Sequence, residues 1–248
     1  MVSAPKPWRN GPAKTCNNEP AVEMSRFPDA GDDREHLPIT SLAASTWLRV
    51  SAGKFESPLH WSVGHTGRFT PASGAVGTLY LAETLTGSLA ESVCRDAVWL
   101  RACEKFTPVH DLQQLDLHEI GLPEAIQVLD LTVPHLARYR LDAQIWSQRD
   151  FRNGYQWGPA WAAHAISLGL NGILYFSRSH TQSRCLALFG SPSESHGSAS
   201  YDSAPYDKDR HIIEPAVTQP GITWRKRYSL MSDEVLECLE KEFEWGLI

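Results

Sequence analysis

Three residues whose types suit work on a charged substrate lie close together in the sequence. Arg68, Tyr80 and Glu91 fall within 24 residues. Arg68 stands in the loop sequence GRFTP, and a guanidinium there suits the paired oxygens of a phosphate group. Tyr80 stands in an apolar run, where strand core is the default interpretation. A loop arginine is more often a solvated charge, so position alone leaves both interpretations open.

Glu91 has a strong structural interpretation of its own. The segment SLAE, from Ser88 to Glu91, matches the S-x-x-E capping box. This pattern predicts a helix that begins at Ser88, with the Glu91 carboxylate reaching back to the amide of the N-cap residue. A carboxylate held in this way is also preorganised, so a capping role and a role in a site do not exclude each other.

Ser177 and Arg178 follow a predicted strand, GILYF, and open a polar loop. Strand ends of this kind often carry functional side chains, because the scaffold fixes them while leaving them accessible. A single serine after a strand is usually a turn residue, and this one lacks the G-x-S-x-G setting of a hydrolase nucleophile.

Several other kinds of site are excluded by their missing motifs. The sequence has neither a P-loop pattern nor a G-x-G-x-x-G pattern. Its ten histidines include no H-E-x-x-H, and its five cysteines include no C-x-x-C pair. Zinc binding and a disulfide framework are therefore not expected, and the metal prediction is none.

Composition limits the partner classes further. The chain of 248 residues carries a net charge of −6, which argues against direct binding to nucleic acid or to an anionic membrane. No stretch approaches the roughly 20 apolar residues needed to cross a bilayer. The first residues have no continuous apolar segment of the secretory kind. We therefore expect a cytoplasmic protein.

Apolar periodicity and breakers outline the elements that must position these residues. Residues 1–40 are rich in proline and polar residues and predict a flexible tail, with the first folded element starting near Pro38 or Ile39. GTLYLAE predicts a buried strand. The segment SLAESVCRDAVWLRACEKF predicts a helix with Leu89, Val93, Ala97 and Leu100 on one face. The segment LHEIGLPEAIQVLDLTVPHL predicts only one short helix or turn.

The second half has clearer signals. PAWAAHAISLG predicts a helix that ends near Gly169, and the strands GILYF and RCLALFG follow. Residues 191–210 predict an exposed loop, and the segment after them predicts short edge strands. A C-terminal helix is predicted from Ser232, with Val235, Leu236, Leu239 and Phe243 on its apolar face. The sum is an α+β fold with a mixed sheet core and flanking helices.

The ordered set of residues resembles the RES domain family, named for an arginine, a glutamate and a serine. GRFTP supplies the arginine, GTLYLAETLTGSLAE the tyrosine and glutamate, and NGILYFSR with CLALF the serine and its next strand. The likeness spans about residues 47–189 within a domain of residues 41–248. It implies a fold similar to that of ADP-ribosyltransferase toxins.

The resemblance also implies an activity. Family members studied as toxins degrade NAD, some as phosphorylases that use inorganic phosphate and leave ADP-ribose 1″-phosphate. It implies Arg68, Tyr80, Glu91 and Ser177 as catalytic residues. NAD would be the substrate and phosphate the co-substrate, with no cofactor.

The same resemblance extends to binding residues and partners. Arg68, Phe69, Tyr80 and Arg178 would bind substrate, and Phe69 stands where the family often has another aromatic residue. The family uses a further acidic residue after the serine, for which Glu194 is a candidate. A cognate antitoxin with a helix-turn-helix part is the implied partner, and the chain itself is a candidate homo-oligomer.

Three other activities stay open at this stage. A mono-ADP-ribosyltransferase would pass ADP-ribose to a macromolecule, and a NAD glycohydrolase would ignore phosphate. A catalytically silent module would bind NAD or a partner without releasing nicotinamide. Fold-level analogy alone does not choose among them.

Overall fold

The structure is a computed structural model. It describes residues 27–29, 33–55, 57–63, 67–95, 99–101, 104–107, 109–122, 124–147, 155, 157–190, 222–243 and 245–247. The strands are β1 (Ile39–Leu42), β2 (Ser45–Ala52), β3 (Gly77–Ala82), β4 (Trp99–Arg101), β5 (Glu104–Thr107), β6 (Leu115–Leu122), β7 (Ile126–Asp130), β8 (Gly172–Phe176), β9 (Arg184–Gly190), β10 (Thr223–Ser229) and β11 (Trp245–Leu247). The helices are α1 (Leu85–Glu91), α2 (Val109–Gln113), α3 (Gln144–Ser147), α4 (Trp157–Ser167) and α5 (Asp233–Phe243), with a 3-10 turn at Leu136–Tyr139.

The main sheet has eight strands in the order β1-β7-β8-β9-β3-β2-β6-β10. Its neighbours pair antiparallel except for β7 and β8, which are parallel. A smaller sheet has the order β11-β5-β4, with β11 parallel to β5. The predicted α+β architecture with a mixed sheet and flanking helices is therefore confirmed. The expected first element is also found, since β1 begins at Ile39.

The central strands are buried on both faces, which explains why they read as nearly continuous apolar runs. On one face, Ile173 and Tyr175 of β8 pack with Trp161 of α4. On the other face, Leu174 of β8 packs with Trp61. The predicted strands GILYF and RCLALFG are confirmed as β8 and β9.

Helix α4 confirms the predicted helix and its end near Gly169. Pro159 lies in its first turn, where the missing amide hydrogen costs nothing. Gly169 follows the helix with φ of +69°, the left-handed conformation that glycine adopts most readily. The Leu170 amide donates back to the Ala165 carbonyl, which closes the end of the helix. The chain then enters β8 directly.

Two predictions about elements were wrong. The helix expected across Leu89, Val93, Ala97 and Leu100 stops at Glu91, and Leu100 lies in β4 instead. The Ser92 hydroxyl donates to the Ser88 carbonyl at 2.6 Å and satisfies the last turn, and β4 then pairs with β5. This pairing extends to β11 at the far end of the chain, a partner that local periodicity cannot reveal.

The region predicted as one short helix or turn is the second error, because it contains the strands β6 and β7. The apolar runs before and after residues 123–125 therefore form two strands and not one short helix. Strand β6 pairs with β2 along eight residues and with β10 on its other side. Most of its side chains are buried on both faces, which removes the simple alternation that marks a half-exposed strand.

The structure describes the predicted N-terminal tail only in part and the predicted loop 191–210 not at all. Leu37 is buried in the core beside β1, and Arg34 donates to the Leu168 carbonyl and to Gln127. Residues 1–26 of the predicted tail and the predicted loop 191–210, with Glu194, lie outside the described residues. The predicted edge strand appears as β10.

The C-terminal helix is confirmed as α5, and it packs on this domain. Val235 and Leu239 are buried against Leu89 of α1. Among the helices that the structure describes, none has the length and apolar character to span a membrane.

Candidate active site

The candidate site is a cavity of about 380 Å³ where the main sheet opens between β2 and β3. These strands pair at one position, Leu48 with Ala82, while the start of β3 pairs with Ser62 of the preceding loop. The volume falls within the range of small-molecule sites. The cavity is lined by Leu48, Arg49, Val50, Ser62, Gly67, Arg68, Tyr80, Leu81, Ala82, Ser88, Glu91, Ser92, Arg95, Tyr155 and Tyr175. Arg68, Tyr80 and Glu91, which lie close together in the sequence, therefore line one cavity.

Glu91 and Arg68 form the charged pair of this cavity. The Arg68 Nη1 and Glu91 Oε2 atoms lie 3.5 Å apart. The other carboxylate oxygen, Oε1, accepts hydrogen bonds from the Ser177 hydroxyl at 2.8 Å and from the Arg178 amide at 3.2 Å. One carboxylate oxygen is thus held by the end of β8, and the other faces the guanidinium.

Arg68 is a buried cation with spare donors. Its residue is 5% exposed, and its Nε and Nη1 atoms make no hydrogen bond to any residue that the structure describes. Burial alone would lower the pKa of Arg68, but the charge on Glu91 and the nearby tyrosines raise that pKa above its usual value. The rings of Tyr155 and Tyr175 lie 5.9 and 5.4 Å from the guanidinium carbon, within cation–π range. Arg68 therefore stays charged and retains donors for an anionic ligand.

Tyr80 holds the loop that carries Arg68. Its hydroxyl oxygen accepts a hydrogen bond from the Phe69 amide at 2.8 Å and lies 3.1 Å from the Thr70 hydroxyl. Burial raises the pKa of Tyr80 to about 12, so the phenol is neutral at physiological pH. Gly67 is required beside it, because a β-carbon there would lie 2.4 Å from the Tyr80 hydroxyl oxygen.

The other predicted site residues, Ser177, Arg178 and Phe69, do not line the cavity but lie behind the residues that do. Ser177 is fully buried and reaches the cavity only through its bond to Glu91. Arg178 contributes its backbone amide to the same carboxylate. Phe69 is also fully buried and packs against Tyr175, with ring centroids 4.9 Å apart, so its side chain lies in the core beneath the site.

The capping box predicted for Glu91 is wrong. The N-cap of α1 is Thr84, whose hydroxyl oxygen accepts a hydrogen bond from the Gly87 amide at 3.1 Å. Ser88 therefore lies inside the helix and Glu91 is its last residue, too far along to reach the N-cap amide. The Thr84 hydroxyl also lies 3.2 Å from that of Ser183, a contact between distant parts of the chain. The Glu91 carboxylate is thus free of capping and points to the cavity.

A comparison with models of protein families identifies the family of this chain. The model of the RES domain matches residues 43–209, which include all four predicted catalytic residues. The chain belongs to the RES domain family. A comparison with curated protein sequences finds no significant match.

A solved structure shares the fold. A chain in the crystal structure of the M. tuberculosis MbcT–MbcA toxin–antitoxin complex is similar to this RES domain, with a TM-score of 0.50 and 17% sequence identity. The alignment covers 80% of this chain and 91% of that one. The RES family match ends at residue 209, whereas α5, which packs on α1, begins at Asp233. The helix that supports α1 thus lies beyond the family match.

The charged and aromatic residues of the cavity that the sequence did not predict are Arg49, Arg95, Tyr155 and Tyr175. Arg49 donates to the Tyr80 carbonyl at 3.3 Å and to the His60 carbonyl at 3.1 Å, filling the opening between β2 and β3. Burial lowers the pKa of Arg49 to about 10. One signal was available, since Arg49 is the single charge in the strand sequence STWLRVSA. The two tyrosines had none, because only the fold brings them to Arg68.

Gly158 offers a test of how tightly the Arg68 loop is held. A β-carbon at this position in α4 would lie 2.0 Å from the Arg68 carbonyl oxygen and 3.3 Å from Phe69. We expect Gly158→Ala to lower the free energy of unfolding by about 1–3 kcal/mol, as overpacking typically does. Thermal unfolding should be compared with that of Ala163→Ser, an exposed change in the same helix. An unchanged melting temperature in Gly158→Ala would show that the loop moves aside freely.

Proposed function

We propose that this RES domain cleaves NAD at the bond between nicotinamide and ribose, with inorganic phosphate as the acceptor. The observation that carries the proposal is the pair of buried Arg68 and half-buried Glu91 in one cavity, with the Glu91 carboxylate fixed by Ser177 and the Arg178 amide. The fixed Glu91 carboxylate can stabilise a positive charge that develops on the ribose. The Arg68 guanidinium beside it still has donors with which to bind the phosphate anion.

The chemistry follows from these two charges. As the bond from the ribose C1″ carbon to the nicotinamide nitrogen breaks, nicotinamide leaves with the bonding electron pair as a neutral ring. Positive charge develops on the ribose, and the Glu91 carboxylate stabilises it. An oxygen of hydrogenphosphate then bonds to C1″ and gives ADP-ribose 1″-phosphate. Nicotinamide is a good leaving group, so the site needs no strong general acid.

Arg68 would bind phosphate oxygens in this scheme. Its Nε and Nη1 atoms are buried without hydrogen bonds to described residues, and unmade hydrogen bonds of a buried charge are costly. An anionic ligand would satisfy them, either the NAD pyrophosphate or the attacking phosphate. Arg49 adds a second cation at the opening between β2 and β3. The cavity is therefore suited to a substrate with several phosphate oxygens.

Tyr80 and Ser177 would act by holding other groups. Tyr80 fixes the Phe69 amide and lines the cavity, where its ring would position the nicotinamide. Ser177 fixes the carboxylate of Glu91 from behind. These assignments give each predicted catalytic residue a distinct task.

The proposal extends to the cellular setting. The related fold of MbcT occurs in a toxin–antitoxin complex, which supports a toxin-like role and a cognate antitoxin for this chain. A helix-turn-helix part in that antitoxin and a cytoplasmic location stay predictions. The ADP-ribosyltransferase-like character of the fold, the absence of a cofactor and homo-oligomer formation also stay predictions.

Product analysis tests the proposed reaction. The full chain is incubated with NAD, with and without inorganic phosphate, and the products are identified by mass. We expect nicotinamide and ADP-ribose 1″-phosphate, formed only when phosphate is present. Free ADP-ribose at equal rates in both samples would show a glycohydrolase instead. Label from NAD on an added macromolecule would show a transferase, and intact NAD would show a non-catalytic module.

A further inference from the structure

Helix α1 is too short to hold Glu91 in place by itself. It has seven residues, and Glu91 is the last of them. Helices of this length are not stable alone in water, and their ends fray first. The position of the Glu91 carboxylate must therefore come from tertiary contacts of α1.

The loop between β8 and β9, residues 177–183, contacts both ends of α1. At the C-terminal end, Ser177 and the Arg178 amide hold the Glu91 carboxylate. At the N-terminal end, the Ser183 hydroxyl lies 3.2 Å from that of the N-cap residue Thr84. A β-carbon at Gly87 would lie 2.8 Å from that of Ser183, so the loop and the first turn of α1 are in close contact.

His180 joins the two halves of this loop. Its Nδ1 atom lies 2.9 Å from the Ser183 hydroxyl oxygen, and its amide donates to the Ser177 hydroxyl oxygen at 3.3 Å. The Ser183 amide donates to the His180 carbonyl, and the Ser177 amide donates to the Ser183 carbonyl, both at 2.9 Å. A continuous chain of hydrogen bonds thus runs from the N-cap of α1 through His180 to the Glu91 carboxylate.

The C-terminal helix contacts the same residue. The ring of Phe243, the last residue of α5, lies 6.2 Å from the imidazole of His180, measured between centroids. Leu239 of α5 packs in the same cluster as Leu89 of α1. His180 is therefore held between the loop and α5, and no part of it needs to touch a substrate.

We propose that the His180 imidazole is a positioning residue for Glu91, acting through Ser183 on the start of α1. Because the loop binds α1 at both ends, loss of the bond from His180 to Ser183 would loosen the N-cap and allow the carboxylate to move from its place opposite Arg68. This proposal rests on the proposed function for its kinetic readout, but its structural readout is independent of any substrate.

Two replacements of His180 separate the imidazole hydrogen bond from ring packing. His180→Asn keeps a polar atom near the place of Nδ1, whereas His180→Phe keeps the contact with Phe243 and loses the bond to Ser183. We expect His180→Phe to lower kcat for NAD about three- to tenfold, the usual worth of one hydrogen bond, with little change in KM. His180→Asn should recover most of that loss. Thr181→Ala, an exposed change in the same loop, is the control.

Ser183→Ala provides a second route to the same bond. It removes the bond to His180 together with the contact to Thr84, so its effect should equal or exceed that of His180→Phe. The double variant should be no slower than Ser183→Ala alone, because the bond to His180 is already lost there. Amide hydrogen exchange of α1 should rise in His180→Phe and in Ser183→Ala, and return toward the wild-type rate in His180→Asn.

The exchange data decide the proposal even if the reaction is different. Should the wild-type chain leave NAD intact, the proposed function fails while α1 exchange still reports on positioning. The positioning role is refuted if α1 exchanges at the wild-type rate in both His180→Phe and Ser183→Ala. It is also refuted if those variants keep the wild-type kcat.

Discussion

Glu91→Gln is expected to lower the rate of nicotinamide release from NAD by about 10²–10³-fold, the usual effect of removing one preorganised electrostatic group. The amide oxygen of glutamine can still accept the hydrogen bond from Ser177, so the end of α1 should remain in place. What is lost is the negative charge opposite the developing positive charge of the ribose. The rate should be measured by nicotinamide release under saturating NAD.

A matched control is available in the exposed pair of Glu83 and Arg184. Glu83→Gln makes the same chemical change to a carboxylate that faces an arginine, but outside the cavity. We expect it to keep the wild-type rate. Because Glu91 does not cap α1, wild-type turnover by a folded Glu91→Gln protein would remove Glu91 from the reaction, with no second role to explain the result.

Arg68→Lys should weaken binding of the anionic substrate. Lysine keeps the positive charge opposite Glu91 but lacks the planar fork that binds two oxygens at once. Loss of one charge-assisted hydrogen bond predicts a rise of about ten- to a hundredfold in KM for NAD or for phosphate. Initial rates with each substrate varied in turn will show which of the two anions Arg68 binds.

The lysine variant is a sharper test than alanine. Arg68→Ala should also weaken affinity, but it would leave Glu91 without a partner for its charge in a largely buried site and so lower stability as well. Arg184→Lys, in the exposed pair, is the control and should change neither KM. Equal KM values for wild type and a folded Arg68→Lys protein would place the anion elsewhere in the cavity.

Strong local signals explain what the sequence predicted well. GILYF and RCLALFG are short apolar runs bounded by polar turn residues or glycine. No charged residue lies between the ends of either strand, because both faces of these strands are buried. Gly169 ends α4 because it adopts a left-handed conformation there. The order of Arg68, Tyr80, Glu91 and Ser177 predicted the family, which the RES domain match confirms.

The errors arose where distant contacts decide the structure. SLAE has the composition of a capping box, yet the helix starts earlier because Thr84 caps it beside Ser183. Strand β6 lacks a clear alternation because both its faces are covered by other elements. The cavity tyrosines, Tyr155 and Tyr175, meet Arg68 only after folding, so no spacing in the sequence could indicate them.

Release of free nicotinamide is the most direct test of NAD cleavage in this cavity, because the phosphorylase, glycohydrolase and transferase reactions all produce it. The purified chain of 248 residues is incubated with NAD and inorganic phosphate, and free nicotinamide is quantified beside the Glu91→Gln and Glu83→Gln proteins. We expect release by the wild-type and Glu83→Gln proteins and a loss of about 10²–10³-fold in Glu91→Gln. Intact NAD after incubation with folded wild-type protein would contradict the claim that this cavity cleaves NAD.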